Sequence, residues 1–224
     1  MSQELSVRYE VDGKELTLTP SIIANYLTNG QQVPLPEVSK FMMLCQARKL
    51  NPFIGDAYLV AYGGKANIIV SKDAFMKRAQ QHERYKGISA GITLITADGQ
   101  RMLHRAGSML LKGEQLVGGW CRVYIDGYAE PMFEEVAFSE YTTGKSLWNS
   151  KPATMIRKVA IVHALREAFP DIYSGMYTSE EMGEAGEAPA PTINSVPQEV
   201  VADVIEAQEV THYEEETSDL GEDF

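Results

Sequence analysis

The segment from Pro152 to Ala168 limits the possible folds more than any other part of the chain. Its sequence, PATMIRKVAIVHALREA, places apolar or small residues around almost the whole circumference of a helix. Proline suits the first position of a helix, and Pro170 lies where it would stop one. A helix this apolar needs cover on most sides, so we expect it at the centre of the fold.

Cations interrupt this apolar surface, and three of them form a stripe. At about 100° per residue, Lys151, Lys158 and Arg166 fall within an arc of roughly 80°. An unpaired charge in apolar surroundings is costly, so cations on a mostly buried helix need something anionic nearby. The stripe is therefore a candidate surface for an anionic ligand, and a structural role for the same cations stays open.

Segments of β type fill most of the sequence before this helix. One pair flanks Asp12-Gly13 and another flanks Gly63-Gly64, and each pair predicts a hairpin. Four further stretches, at 88–96, 102–111, 115–125 and 131–138, are evenly spaced and predict an antiparallel meander. Gly118-Gly119 in the third stretch indicates a bulge or a close backbone approach. An α+β fold follows.

Shorter helices are predicted around the second hairpin. Pro20-Ser21 opens one that reaches Leu27. A second, ending near Asn51-Pro52, has one apolar face formed by Val38, Phe41, Met42 and Cys45. Ser71 is a suitable N-cap for a third, which reaches about Gln81.

The net charge of −11 is unevenly distributed along the chain. All 20 Lys and Arg lie at or before Arg166 together with 15 Asp and Glu, whereas residues 167–224 carry 16 Asp and Glu and no Lys or Arg. A basic body with an acidic tail is typical of a nucleic-acid surface joined to a solvating or partner-binding segment. We predict a core at 1–176 and a disordered acidic tail at 177–224, with a candidate partner-binding helix near 198–208.

Motifs for ATP hydrolysis and for zinc binding are missing from the sequence. It contains neither G-x-x-x-x-G-K-[ST] nor H-E-x-x-H, and its two cysteines, Cys45 and Cys121, suggest neither a disulfide framework nor a zinc site. Glu134-Glu135 is the best candidate for a Mg²⁺-dependent nuclease, but neighbours on a strand point to opposite faces. No apolar run predicts a membrane span and no secretory signal is recognisable, so we expect a cytoplasmic protein.

Basic residues alternate with aromatic ones in the body of the chain. Arg122 lies between Trp120 and Tyr124, and Trp148 lies between Lys145 and Lys151. Cations neutralise phosphates and aromatic faces stack on unpaired bases, which are the two components of single-strand binding. Each group taken alone fits a solvated helix end or core packing as well.

Several short motifs resemble, in order and spacing, those of the phage Bet (Red beta) and RecT single-strand annealing proteins. The first combines Asn51-Pro52-Phe53 and Ala57-Tyr58 with Asp73-Ala74-Phe75. A second begins at Cys121-Arg122-Val123-Tyr124, ahead of Pro131 and Glu140. The most specific runs through Trp148, Pro152, Met155, Arg157, Arg166 and Phe169. Together they cover about residues 35–175.

The resemblance implies an ATP-independent recombination mediator of phage type, without ATPase or nuclease chemistry, that anneals complementary strands. Its fold would be a curved antiparallel sheet packed on helices, with DNA in a basic groove. Family members contact DNA through cations of the last core helix, and Arg166 matches such a position. Two other family cations fall on Ala153 and Val159, and Lys151 and Lys158 are candidate substitutes. The predicted DNA-binding set is Lys65, Lys72, Arg122, Trp148, Lys151, Arg157, Lys158 and Arg166.

The same resemblance sets expectations for partners. These are single-stranded and nascent duplex DNA, further copies of the chain in a ring or helical filament, and, as candidates, a phage exonuclease or the host single-strand binding protein. No cofactor would be required, and Mg²⁺ would act only as a counterion of DNA. The terminal Asp219–Phe224 resembles the tip of bacterial single-strand binding proteins, which is a further hypothesis. A passive single-strand binding protein of phage replication is the alternative function.

Overall fold

The computed structural model describes residues 5–28, 32–62 and 65–181, with the backbone alone at Tyr62 and Lys65. It begins with the predicted hairpin of β1 (Val7–Val11) and β2 (Lys14–Leu18). Asp12 and Gly13 both have positive φ, 54° and 74°, as a tight two-residue hairpin turn requires. A helix follows, as α1 (Pro20–Ile22) and a π-helical turn (Ile23–Leu27).

The predicted helices around the second hairpin are also present. Helix α2 (Leu35–Arg48) buries the expected apolar face but ends before Asn51, because Lys49 adopts a left-handed conformation at φ 48°. A 3-10 turn (Pro52–Ile54) leads to the hairpin of β3 (Ala57–Tyr62) and β4 (Lys65–Val70). Ser71 caps α3 (Lys72–Gln81), its hydroxyl accepting a hydrogen bond from the Ala74 amide at 3.2 Å.

A four-stranded antiparallel sheet forms the middle of the molecule, and its strand order corrects the predicted meander. Strands β5 (Tyr85–Ile95), β6 (Met102–Ala106), β7 (Gln115–Ile125) and β8 (Met132–Ala137) lie in the order β6-β5-β7-β8. Gly107, at φ 82°, ends β6 early, so β6 pairs with only Gly91–Ile95 of β5. The long β7 then pairs along the opposite edge of β5.

Arg105 holds the segment that returns the chain from β6 to β7. Its guanidinium forms a two-point ion pair with Glu114, at 2.5 and 2.6 Å, and donates to the Met109 carbonyl at 3.1 Å. This crossover replaces the simple hairpin that a meander would need.

The apolar helix α6 (Pro152–Ala168) has the predicted bounds and lies at the centre of the core. Its buried Ile156, Val159 and Ala160 belong to one hydrophobic cluster with Ile92 and Cys121 of the sheet. Shorter elements surround it: α4 (Phe138–Tyr141), α5 (Ser146–Ser150), α7 (Pro170–Tyr173) and a 3-10 turn (Ser179–Glu181). The α+β class, with antiparallel sheets packed on helices, is confirmed.

Gly118 and Gly119 produce both features predicted for them. The pairing of β5 with β7 shifts between Thr93 and Leu94, which leaves Val117 as a bulge. A Cβ added to Gly119 would lie 2.5 Å from the carbonyl oxygen of Ile156, so only glycine lets α6 approach β7 this closely.

The packed part of the chain continues past the boundary predicted at Met176. The Val70 amide donates to the Tyr177 carbonyl at 2.8 Å, and Thr178 is buried. The acidic tail from 182 onward lies outside the described residues, together with the candidate helix near 198–208 and the terminal tip. Across the described ranges, no helix combines the length and the apolarity needed to cross a membrane.

We expect Gly119→Ala to destabilise the protein by about 1–3 kcal/mol, because the new methyl group forces apart two packed backbones. Guanidinium denaturation measures the change in the free energy of unfolding. Ser139→Ala, at an exposed position, is the control and should stay within about 0.5 kcal/mol. An unchanged free energy of unfolding in Gly119→Ala would contradict the close approach.

Candidate nucleic-acid interface

A groove of about 490 Å³ runs between the β3–β4 hairpin and the helices α5 and α6. Four of the residues predicted to bind DNA line it, namely Lys72, Trp148, Arg157 and Lys158. The stretches that supply them are far apart in sequence and are brought together by the packing of α3, α5 and α6. The groove is therefore the place where packing brings members of the predicted DNA-binding set together.

Lys72 lies at the groove because a helix begins directly after a strand. β4 ends at Val70, Ser71 caps α3, and Lys72 is the first residue of that helix. Its ammonium is 2.9 Å from the Asp73 carboxylate, which is itself highly exposed. An exposed ion pair of this kind contributes little to stability, so the cation can exchange its partner readily.

Among the described residues, one hydrogen bond anchors the side chain of Arg157. Its Nε donates to the Ala90 carbonyl of β5 at 3.3 Å. Within the described part of the chain its two Nη groups make no hydrogen bond, although a guanidinium carries five N–H donors. The side chain is thus positioned by the sheet and still able to bind a phosphate.

Trp148 contributes to the wall of the groove rather than to an open stacking surface. Only 7% of the residue is exposed, and its ring packs 6.1 Å from that of Phe138. In this structure both residues belong to the packing between α4 and α5.

Two cations of the predicted stripe, Lys158 and Arg166, are held by acidic residues of the chain itself. Lys158 donates to Glu180 at 2.7 Å, and Arg166 makes a two-point contact with Glu181, with Nη2 at 2.7 Å. The Arg166 guanidinium also lies over the ring of Tyr177, 5.2 Å from its centroid. Lys151, the third cation, is exposed where α6 begins.

Glu181 is the most strongly perturbed carboxylate of this surface. Burial alone would raise its pKa, but hydrogen bonds from His163, Arg166 and the Thr178 amide outweigh burial and lower the pKa to about 2. The Thr178 amide lies 2.8 Å from the carboxylate, as in a helix capping box. Glu181 is therefore ionised at neutral pH and ties the last described turn to α6.

Two further members of the predicted DNA-binding set do not join the groove cations in the described structure. Arg122 lies on the sheet face opposite α6, between the rings of Trp120 and Phe133 at 5.2 and 5.0 Å. Strand alternation explains this, because the neighbouring Cys121 and Val123 face the core. Lys65 begins β4, and its side chain is outside the description.

The acidic pair considered for a nuclease is divided between the two faces of β8. Glu135 bonds to Thr93 and to His104, the latter at 3.0 Å, whereas Glu134 lies 4.0 Å from His163 of α6. This confirms that the two carboxylates do not share a site. Across the described residues, no three His, Cys, Asp or Glu side chains are grouped so that they could hold a metal ion.

Sequence reasoning missed several residues of the groove. Tyr58, Thr143, Ser146 and Thr154 add hydroxyl groups to its lining. The alternation of β3 does place Tyr58 and Val60 on one face, but it gives no sign that this face meets α6. The composition assigns Glu180 to the acidic tail, and only the structure reveals its contact with Lys158.

Comparison with known proteins identifies a family and a relative to which this chain is similar. The model of the RecT family matches residues 16–193, a range that includes the whole groove and the turn with Glu180 and Glu181. The chain is also 29% identical over 206 residues to an uncharacterized protein of Ureaplasma parvum serovar 3. That alignment covers 91% of this chain and 86% of the relative.

We expect the stability contributed by Glu181 to depend on pH. Its pKa is about 2 in the folded protein and about 4.3 in an unfolded chain, so its contribution is complete above about pH 4.3 and is lost as the pH falls towards 2. The gap in unfolding free energy between wild type and Glu181→Gln should narrow over that range. Glu130→Gln, at an exposed turn, should show a small gap at every pH. A Glu181→Gln gap that stays constant from pH 6 to pH 2.5 would contradict the assignment.

Proposed function

This chain belongs to the RecT family, whose members anneal single-stranded DNA in recombination, and we propose that it does so without ATP, in a phage-type pathway in the host-cell cytoplasm. The observation that carries the proposal is the groove, in which Lys72, Arg157 and Lys158 converge from two helices. The sequence contains no P-loop motif, which agrees with a reaction that consumes no nucleotide.

The proposed mechanism is physical rather than covalent. The three cations hold the phosphates of one strand, and contacts to phosphates position a strand without reading its sequence. The bases stay available to a second strand, which tests its register by pairing. Each correctly stacked step contributes about 1.4 kcal/mol, and a mismatch loses that contribution. The protein supplies alignment and charge neutralisation, and no cofactor is needed beyond Mg²⁺ as a counterion of DNA.

Annealing over long stretches requires several copies of the chain in a ring or a helical filament. One groove with three cations covers only a few phosphates, whereas stable pairing needs many consecutive bases. Neighbouring copies would continue the track, which makes binding cooperative and steeply salt dependent. A phage exonuclease and the host single-strand binding protein are the proposed protein partners.

The competing function is passive coating of single strands. It fits the same cations, because both functions start from phosphate binding. The rate of pairing separates them: an annealing protein accelerates pairing of complementary strands, whereas a passive coat slows it.

We expect the wild-type chain to accelerate annealing of two labelled complementary oligonucleotides, followed by energy transfer with no nucleotide added. The double variant Lys72→Gln, Arg157→Gln should lose most of the acceleration, and its salt slope for single-strand binding should fall by about 0.7 for each lost phosphate contact.

A matched control removes the same residue types away from the groove. Lys112→Gln, Arg101→Gln changes two exposed positions in the β5–β7 region and should anneal like wild type. Slower pairing with wild-type protein than without it would establish the passive alternative. Equal loss in both double variants would show that net charge, rather than the groove, is responsible.

A further inference from the structure

The last described turn, Thr178–Glu181, occupies part of the surface assigned to DNA. Ser179 and Glu180 lie among the residues that line the groove. The Glu180 carboxylate bonds to Lys158, and the Glu181 carboxylate bonds to Arg166. Both acidic side chains are largely covered, with 3% and 10% exposed. The turn therefore fills two cationic positions of α6 with negative charge.

The contact is matched in charge but incomplete in hydrogen bonding. Of the three buried side-chain polar atoms without a partner in the described residues, two belong to it, the second carboxylate oxygen of Glu180 and Nε of Arg166. A buried polar group without a partner costs free energy. The turn is thus held by charge while leaving donors and acceptors unused, which favours exchange for a better anion.

We infer that the Thr178–Glu181 turn is a built-in competitor of DNA, whose two carboxylates occupy phosphate positions and are displaced when a single strand binds. This inference rests on the proposed function and adds its regulation. Displacement opens the end of the groove that Glu180 closes and extends the track of cations from Lys158 to Arg166.

The competition selects for polyanions. A single phosphate group can replace only one carboxylate at a time. The displaced carboxylate then rebinds quickly, because the turn belongs to the same chain as the cations. A strand that already contacts Lys72 and Arg157 presents its next phosphates at high effective concentration. Long single strands therefore displace the turn, while free nucleotides and simple anions do not.

Removal of the competing charge should strengthen binding. We expect Glu180→Gln, and the double variant Glu180→Gln, Glu181→Gln, to bind a fluorescent oligothymidine more tightly than wild type, by up to about tenfold if the turn is docked in nine molecules of ten. Glu130→Gln removes the same charge at a distant exposed position and should bind like wild type. Glu180→Gln alone suffices if loss of Glu181 unfolds the protein.

Displacement itself can be followed through a thiol. Cys45 and Cys121 are the only cysteines and both are fully buried, so Ser179→Cys introduces a single accessible thiol in the turn. Its reaction with a thiol reagent should become several-fold faster when oligothymidine is added, and should not change with free thymidine nucleotide.

The outcomes distinguish failure of the competitor from failure of the proposed function. An unchanged or slower thiol reaction with oligothymidine, or unchanged affinity in folded Glu180→Gln, overturns the competitor while annealing by wild type still supports the proposed function. If neither wild type nor any variant binds a single strand, the proposed function and the competitor fail together.

Discussion

The backbone contact between β7 and α6 at Gly119 determines where the charged groups of this protein lie. Because position 119 has no side chain, the carbonyl of Ile156 and the amide of Arg157 rest directly against the strand. The helix is then fixed relative to the sheet at the point where its first cation leaves the core. Arg157 reaches the sheet carbonyl of Ala90 from this position, and Lys158 is directed into the groove. A larger residue at 119 would move both cations together.

Three cations of this surface, Lys72, Lys158 and Arg166, are compensated in the absence of nucleic acid, but to different degrees. Lys72 has an exposed neighbouring carboxylate, Lys158 a buried one, and Arg166 a two-point partner reinforced by an aromatic ring. Binding of DNA would thus replace existing ion pairs in part rather than fill open positions. The order of replacement follows from burial, with Lys72 the easiest cation to recruit and Arg166 the hardest.

Much of this architecture is encoded locally and could be predicted. Prolines lie at both ends of α6 and Ser71 caps α3. The Asp12-Gly13 and Gly118-Gly119 pairs allow a tight turn and a close backbone approach, so the sequence predicts these features at the right residues. It does not predict the order of the strands, because a period of two identifies the faces of a strand but not its neighbour in the sheet. The prediction of a meander is wrong because β6 ends at Gly107 and β7 pairs with β5 instead of β6.

The candidate site shows the same limit. Helical periodicity placed Lys151, Lys158 and Arg166 on one stripe, and the structure brings Lys158 together with Lys72 and Arg157. The composition assigns Glu180 to the acidic tail, because a short acidic turn carries no sign of the surface it will contact. Arg122 was grouped with the groove cations although alternation along β7 directs it to the other face of the sheet. Contacts between distant segments decided the positions of Lys158 and Glu180, whereas the local alternation of β7 decided that of Arg122.

Helix α6 also fixes the distance between two of its cations. Arg166 lies eight positions after Lys158, which at about 1.5 Å per residue places their backbones about 12 Å apart along the helix axis. Insertion of one residue between them would rotate Arg166 by about 100° and place it on roughly the opposite side of the helix from Lys158. The length of this segment is therefore constrained by the charges at its two ends, even though most side chains between them contact only the core.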